Sequence, residues 1–214
     1  MSASVYHIRR ALARPLPGLE AQLRLCPRPR LGQERVLTTE WQPREGAVLL
    51  LLYPAGDELH LVLTRRTDTL GSHRGQISLP GGRREAGESL SQAALREAYE
   101  EIGLPPASVE IFGALTPVPV PVSNHRVTPF VGYIAARPDF RPDPGEVAEL
   151  IEVPLALLLE RATVREEEWM LHGQRVQVPF FALGRHKVWG ATAMILSEFV
   201  EALRAPHCQP EQQA

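Results

Sequence analysis

The chain has 214 residues, 44% of them hydrophobic, which suffices for one large packed domain or two small ones. A formal net charge of −2 leaves no electrostatic footprint for non-specific nucleic-acid binding. Cys26 and Cys208 lack metal-type spacing, the N-terminus lacks a signal-peptide core, and the strongest apolar run, 47–53, is too short to cross a bilayer. A cytoplasmic protein with no membrane and no nucleic-acid partner is the expectation.

Residues 4–14 should form a short amphipathic helix with Val5, Ile8 and Leu12 on one side. Residues 15–45, rich in proline and arginine, read as a connecting arm. Together, 1–45 should pack as helix and arm on a main domain of 46–204, with 205–214 as a flexible tail. Residues 47–53 and 58–65 read as two strands joined by Pro54-Ala55-Gly56-Asp57. The first is apolar throughout, as expected of a central strand buried on both faces. A compact loop, 67–80, leads into a helix. Strand candidates 110–116 and 127–135 flank a proline-laden loop, 117–126. An acidic loop, 136–148, carries Glu146, and Pro154 starts a short apolar helix to Leu159. Residues 163–170 and 176–182 form a hairpin around His172-Gly173, and 190–203 the last helix. The layout is mixed α/β.

The helix after the loop carries the chemistry. Ser89 and Gln92 make a capping box, Gly103 sits where a left-handed C-cap is wanted, and Pro105 blocks continuation. Glu97, Glu100 and Glu101 fall within about 100° of one another on the helix wheel. Ala94, Leu95, Ala98 and Ile102 occupy the neighbouring arc and can dock on a core, while Ala93 is expected to keep the carboxylate side open. Three like charges on one turn repel. A divalent ion reverses that balance, and magnesium takes a few carboxylates, waters and substrate phosphate oxygens. The bland alternative is a solvated acidic face with Arg96 as exposed partner. The fixed spacings of glycine, arginine and glutamate weigh against it.

From Gly82 to Leu104 the chain reads G-R-R-E-A-G-E-S-L-S-Q-A-A-L-R-E-A-Y-E-E-I-G-L. This resembles the box of the Nudix hydrolase family at every specified position, with Ala98 as a small choice at one apolar place. The resemblance implies an α/β/α sandwich with a mixed β-sheet. It implies metal-assisted hydrolysis of a diphosphate in a small nucleotide substrate, with Mg2+ or Mn2+ as cofactor. Carried over, Glu97 and Glu101 are principal metal ligands. Glu100 is a further ligand or orients the attacking water, and Arg96 and Glu88 support them. Gly81 and Gly82 let the backbone pass close to the site.

Two further segments resemble the coenzyme A pyrophosphatase branch. One is L-T-R-R-T-D-T-L-G-S-H-R-G-Q-I-S-L-P-G-G, from Leu63 to Gly82; the other is V-W-G-A-T-A, from Val188 to Ala193. Gly71 stands where that branch often has a basic residue, and Leu79 where phenylalanine is usual. Arg65, Arg66, Arg74 and Arg126 could donate to the diphosphate and to a separate 3′-phosphate. Strand alternation sends Arg65 and Arg66 to opposite faces. His73 could bind phosphate, Gln76 pins the loop through backbone hydrogen bonds, and Glu146 and Glu149 could complete the metal site. The rival readings are hydrolysis of ADP-ribose or NADH, and a nucleotide-binding module without turnover. The N-terminal arm could support a homodimer.

Overall fold

A computed structural model describes residues 4–36, 38, 40–67 and 75–205. In chain order the elements are α1 (Val5–Leu12), α2 (Gly18–Leu23), α3 (Gln33–Val36), β1 (Arg44–Ala55), β2 (Glu58–Arg66), β3 (Ile77–Ser78) and β4 (Gly81–Arg83). They continue as α4 (Leu90–Ile102), β5 (Glu110–Ala114), β6 (Val118–Val120), β7 (His125–Tyr133), β8 (Val147–Pro154) and α5 (Leu155–Leu159). The last are β9 (Val164–Leu171), β10 (Gln174–Leu183), β11 (His186–Trp189) and α6 (Gly190–Arg204). No described helix is long and apolar enough to cross a membrane.

The main sheet is mixed, with path order β3-β2-β1-β7-β5, and β4, β6 and β8 attached to β1, β7 and β2. β1 runs parallel to β7 from Arg44↔His125 to Leu52↔Tyr133, and the other pairs are antiparallel. Parallel pairing at its centre explains why β1 is apolar on both faces. Its alternate residues enter two different cores. Ala47, Leu49, Leu51 and Tyr53 pack with Ala93, Ala94, Ala98 and Ile102 of α4. Leu50 and Leu52 pack with Ile195, Phe199 and Leu203 of α6 on the opposite face. The result is the expected helix–sheet–helix sandwich. Ala93 is fully buried against β1, so it does not keep the carboxylate side open. It lies close enough to the Ala94 arc for its methyl to be drawn into the core.

A second antiparallel sheet, β11-β10-β9, was not expected as a separate unit. The turn between β9 and β10 is the expected one: His172 and Gly173 both take positive φ, 49° and 77°, as a two-residue hairpin loop requires. The arm 15–45 contains two helices. α2 packs on α6, where the Ser197 hydroxyl donates to the Ala21 carbonyl at 2.6 Å. β8 replaces the end of the expected acidic loop and pairs with β2 from His60↔Pro154 to Arg66↔Val147. Its V-A-E-L-I-E-V-P sequence has no period-2 pattern strong enough to announce a strand. The short strands β3, β4, β6 and β11 owe their pairing to neighbours that are distant in sequence.

Candidate active site

The helix that carries the carboxylates is held at both ends by its own sequence. The Ser89 hydroxyl accepts from the Gln92 N–H at 3.2 Å, and Gln92 Oε1 accepts from the Ser89 N–H at 2.8 Å. Gly103 takes φ 71° at the C-cap. The core contacts of Ala94, Ala98 and Ile102 then fix the rotation of α4, which turns Glu97 and Glu101 toward β4.

Glu101 is the most buried of the box carboxylates, at 4% exposure. The Gly81 N–H donates to its Oε2 at 3.2 Å, and Arg66 Nη1 lies 3.8 Å from its Oε1. Burial pushes its pKa up to about 8, against the lowering effects of Gly81 and Arg66; Glu146 and Glu97 raise it further. Burial also raises the pKa of Glu97, with Glu100 and Glu146 adding to the rise and Arg96 opposing it. A Cβ on Gly82 would fall on the Glu97 carboxylate. Gly81, at φ 147°, has a Cβ position that would overlap the backbone of Ala47 and Val48. Both glycines are therefore required by close approach, as the sequence suggests.

Arg96 is the hub of the outer charges. It grips Glu88 with two nitrogens, at 3.1 and 2.9 Å, and donates from Nη1 to Glu97 at 3.0 Å and to Glu100 at 2.9 Å. A fifth bond reaches the Arg83 carbonyl at 3.0 Å. Its pKa is raised, chiefly by Glu88, and that of Glu88 is lowered chiefly by Arg96. The Glu88 carboxylate also accepts from the Glu85 N–H at 2.7 Å. Arg96 thus pins the turn 83–88 to the helix and orients two of the three box carboxylates.

The other expected site residues divide. Arg66 joins Glu101. Arg65, next along the strand, lies 3.5 Å from Glu149, so the two arginines do take opposite faces, with a bulge between them. The Gln76 main-chain carbonyl accepts from the Arg66 N–H at 3.0 Å, a bond that does not involve the Gln76 side chain. His73 and Arg74, together with Gly71, lie outside the described residues. Arg126 is brought to Glu45, 3.6 Å away, and over the Trp41 ring, rather than to a box carboxylate.

Glu146 and Glu149 also separate. The Thr67 N–H donates to the Glu146 carbonyl at 2.9 Å and the Asp143 N–H to the Glu101 carbonyl at 2.9 Å. These bonds tie the 143–146 loop to both β2 and α4, and the Glu146 charge reaches Glu97 and Glu101. Glu149 instead accepts from Arg185 and faces Arg65, which removes it from the box carboxylates. Its strand position in β8 gives the reason: Glu149 is the register partner of Arg65. Sequence reasoning missed Arg83 and Arg84, which line an open cleft with Glu85, Ala86 and Glu97. They fall at unspecified positions of the box, so the motif carried no signal for them.

Among the described residues, no three carboxylate, imidazole or thiolate groups already form a finished ligand set. The chemistry of the donors nevertheless fits a hard divalent cation. Glu97 and Glu101 are partly or wholly buried, resist ionisation by burial, and have Glu146 adding negative charge. A cation supplies the charge that this all-oxygen cluster lacks, and magnesium or manganese suits such donors.

Residues 43–172 match the NUDIX domain. Nudix hydrolase 22 of Arabidopsis thaliana, a chloroplastic protein by its name, is 36% identical over 174 residues, covering 77% of this chain and 57% of that protein. A NudL Nudix hydrolase of Pectobacterium atrosepticum is 40% identical over 162 residues, covering 73% of this chain and 81% of that one. The chain therefore spans little more than half of the plant relative and most of the bacterial one. The solved structure of a MutT protein from Methanosarcina mazei superposes with TM-score 0.53 at 18% identity, over 79% of this chain and 100% of that one, a likeness of fold.

Proposed function

The chain belongs to the Nudix hydrolases, and from that premise we propose that it cleaves the diphosphate of coenzyme A or its acyl derivatives. The products are 3′-phosphoadenosine 5′-phosphate and 4′-phosphopantetheine, or its acylated form. Members of the family are pyrophosphohydrolases of small nucleotide derivatives and generally use a divalent ion such as magnesium or manganese. The observation that carries the coenzyme A reading is a meeting of two distant segments. The Thr192 hydroxyl, in V-W-G-A-T-A, donates to the Ile77 carbonyl, in the H-R-G-Q-I stretch, at 3.2 Å. Ile77 in turn pairs with Arg65. The two segments that resemble the coenzyme A branch thus touch through Thr192 and Ile77, which supports reading them together.

In this reading Glu97 and Glu101 hold the cation, with Glu100 and Glu146 within the same acidic field. When bound, the ion neutralises charge developing on the diphosphate and lowers the pKa of a water. Arg66 opposes the burial that resists ionisation of Glu101 and is placed to donate to the phosphate. Arg96 holds Glu97 and Glu100 in place. Arg83 and Arg84 offer donors along the cleft beside Glu97. A cytoplasmic location belongs to the same reading, and Cys26 is free and buried.

Turnover of coenzyme A, acetyl-coenzyme A, ADP-ribose and NADH side by side, with mass analysis of products, tests the proposal. Coenzyme A or its acyl form should be preferred. A clear preference for ADP-ribose or NADH would replace this substrate. Tight binding with no turnover under any divalent ion would replace the activity itself.

A further inference from the structure

Trp41 stands two residues before the stretch that matches the NUDIX domain, and it belongs to neither of the two hydrophobic cores. Its segment is tied to the start of β7. Asn124 Nδ2 donates to the Gln42 carbonyl at 3.2 Å, and the Arg44 N–H donates to the Asn124 carbonyl at 2.9 Å. The tryptophan is only partly buried, and its indole Nε1 has no hydrogen-bond acceptor among the described residues. Core packing and hydrogen bonding thus give little reason for a tryptophan here. The ring does meet Arg126, whose guanidinium carbon lies over it, 5.7 Å from the centroid. Arg126 Nη1 is also 3.6 Å from Glu45 Oε1, and the arginine side chain stays 45% exposed.

Strand register puts Arg126 on the face of the sheet that carries the box carboxylates. Ala47 packs against α4 and stands opposite Gly82, whose Cβ position falls on the Glu97 carboxylate. Glu45, two residues before Ala47, points the same way. Arg84 follows β4 and faces Glu45, its N–H donating to the Glu45 carbonyl at 3.0 Å, while Arg126 is the register partner of Glu45 on β7. Arg84, Glu45 and Arg126 therefore form one row, beside the row that holds Gly82 beneath Glu97. With strands about 4.8 Å apart and like-facing residues about 7 Å apart, the Arg126 Cα lies about 12 Å from that of Gly82. A nucleoside diphosphate spans that distance. Arg84 and Glu97 line one open cleft, and the row leads from it to Arg126 and Trp41.

The Arg126 charge is already met by Glu45, so this corner has no need of a further anion. It presents a planar guanidinium laid over an indole and still open to solvent. Guanidinium and indole planes stack on aromatic rings, and a nucleobase supplies such a ring without charge. We propose that Trp41 and Arg126 form the platform for the nucleobase of the substrate, reached from Glu97 past Arg84. This rests on the diphosphate-hydrolase reading above and adds Trp41, a residue from outside every motif.

The test is calorimetric binding of AMP and of ribose 5-phosphate, which differ by the base alone, to the full chain in magnesium. The wild-type protein should favour AMP. Arg126→Ala should cut that preference about tenfold, the size of one stacked base, and leave ribose 5-phosphate unchanged. Arg126→Lys keeps the charge without the planar face and should recover little of the preference. Trp41→Leu should lose it as well, and Trp41→Phe, which keeps an aromatic face, should retain most of it. A structural role for Trp41 would weaken both probes alike and would not separate Phe from Leu. An unchanged ratio in Arg126→Ala or Trp41→Leu, full recovery in Arg126→Lys, equal weakening of both probes, or no preference in the wild type overturns the platform. Neither probe carries a diphosphate to cleave, so failure to hydrolyse coenzyme A would count against the activity reading alone.

Discussion

Burial raises the pKa of Glu97 and of Glu101, which sets both apart from solvated surface carboxylates. Glu97→Gln and Glu101→Gln should each lose most of kcat in ordinary magnesium while circular dichroism stays native. Normal turnover in either variant removes that residue from the metal site. Arg96→Ala should cost about 10- to 100-fold in activity, the usual range for a group that orients a ligand. Its loss frees Glu88, Glu97, Glu100 and the Arg83 carbonyl at once. Gly82→Ala should abolish activity more completely than its small volume suggests, since the added methyl lands on the Glu97 carboxylate. A steady-state assay of a well-folded Gly82→Ala protein with wild-type kcat/KM would contradict the close approach.

At the scale of elements, two polar ties join segments that no local pattern connects. The first is at α6. Glu198, fully buried, accepts from Gln22 of α2 at 2.7 Å and from the Thr116 hydroxyl at 2.6 Å, while the Thr116 N–H approaches both of its oxygens at 3.2 Å. Glu198→Ala strands those donors in the core. Unfolding in urea should show a loss of about 2–5 kcal/mol, since each unsatisfied buried group costs about 1–3 kcal/mol. The second tie is at β8. Glu152 accepts from Arg137 at 2.8 and 2.6 Å and from the Tyr53 hydroxyl at 2.9 Å, and its pKa is lowered, first by Arg137. A depressed carboxylate stabilises the fold above its unfolded value, about 4.3, and loses that contribution as pH falls through the folded value. The stability gap between wild type and Glu152→Gln should therefore be open at neutral pH and close in acid. A gap independent of pH would mean that the ion pair contributes nothing.

The fold combines an open cleft lined by Arg83, Arg84 and Glu97 with a sandwich whose two cores lie on opposite faces of β1. An ion that binds only the native state stabilises it by mass action. Magnesium should raise the melting temperature of the wild-type protein and a chelator should reverse the rise. Glu101→Gln should lose that response, and in chelator it should melt no lower than wild type, because a buried like charge has been removed. A magnesium response that survives in Glu101→Gln would move the ion elsewhere.

Local chemistry determined a good deal by itself. The Ser89–Gln92 cap and Gly103 delimit α4 because capping needs only neighbouring residues. The apolar run of β1 announced burial on both faces, and His172-Gly173 announced its hairpin. Alternation along β2 divided Arg65 from Arg66 before any contact was known. What local chemistry could not supply are partners chosen through space. β8 is a strand because β2 offers it an edge, and that pairing turns Glu149 toward Arg65 and away from the box carboxylates. Ala93 enters the core because β1 lies beneath it, and Arg126 meets Glu45 because β7 runs parallel to β1. Arg185 reaches the same cluster from a second sheet, with no periodicity or spacing to mark it. Backbone conformation and capping are decided within a few residues; which charges meet is decided by the packing of elements far apart in the chain.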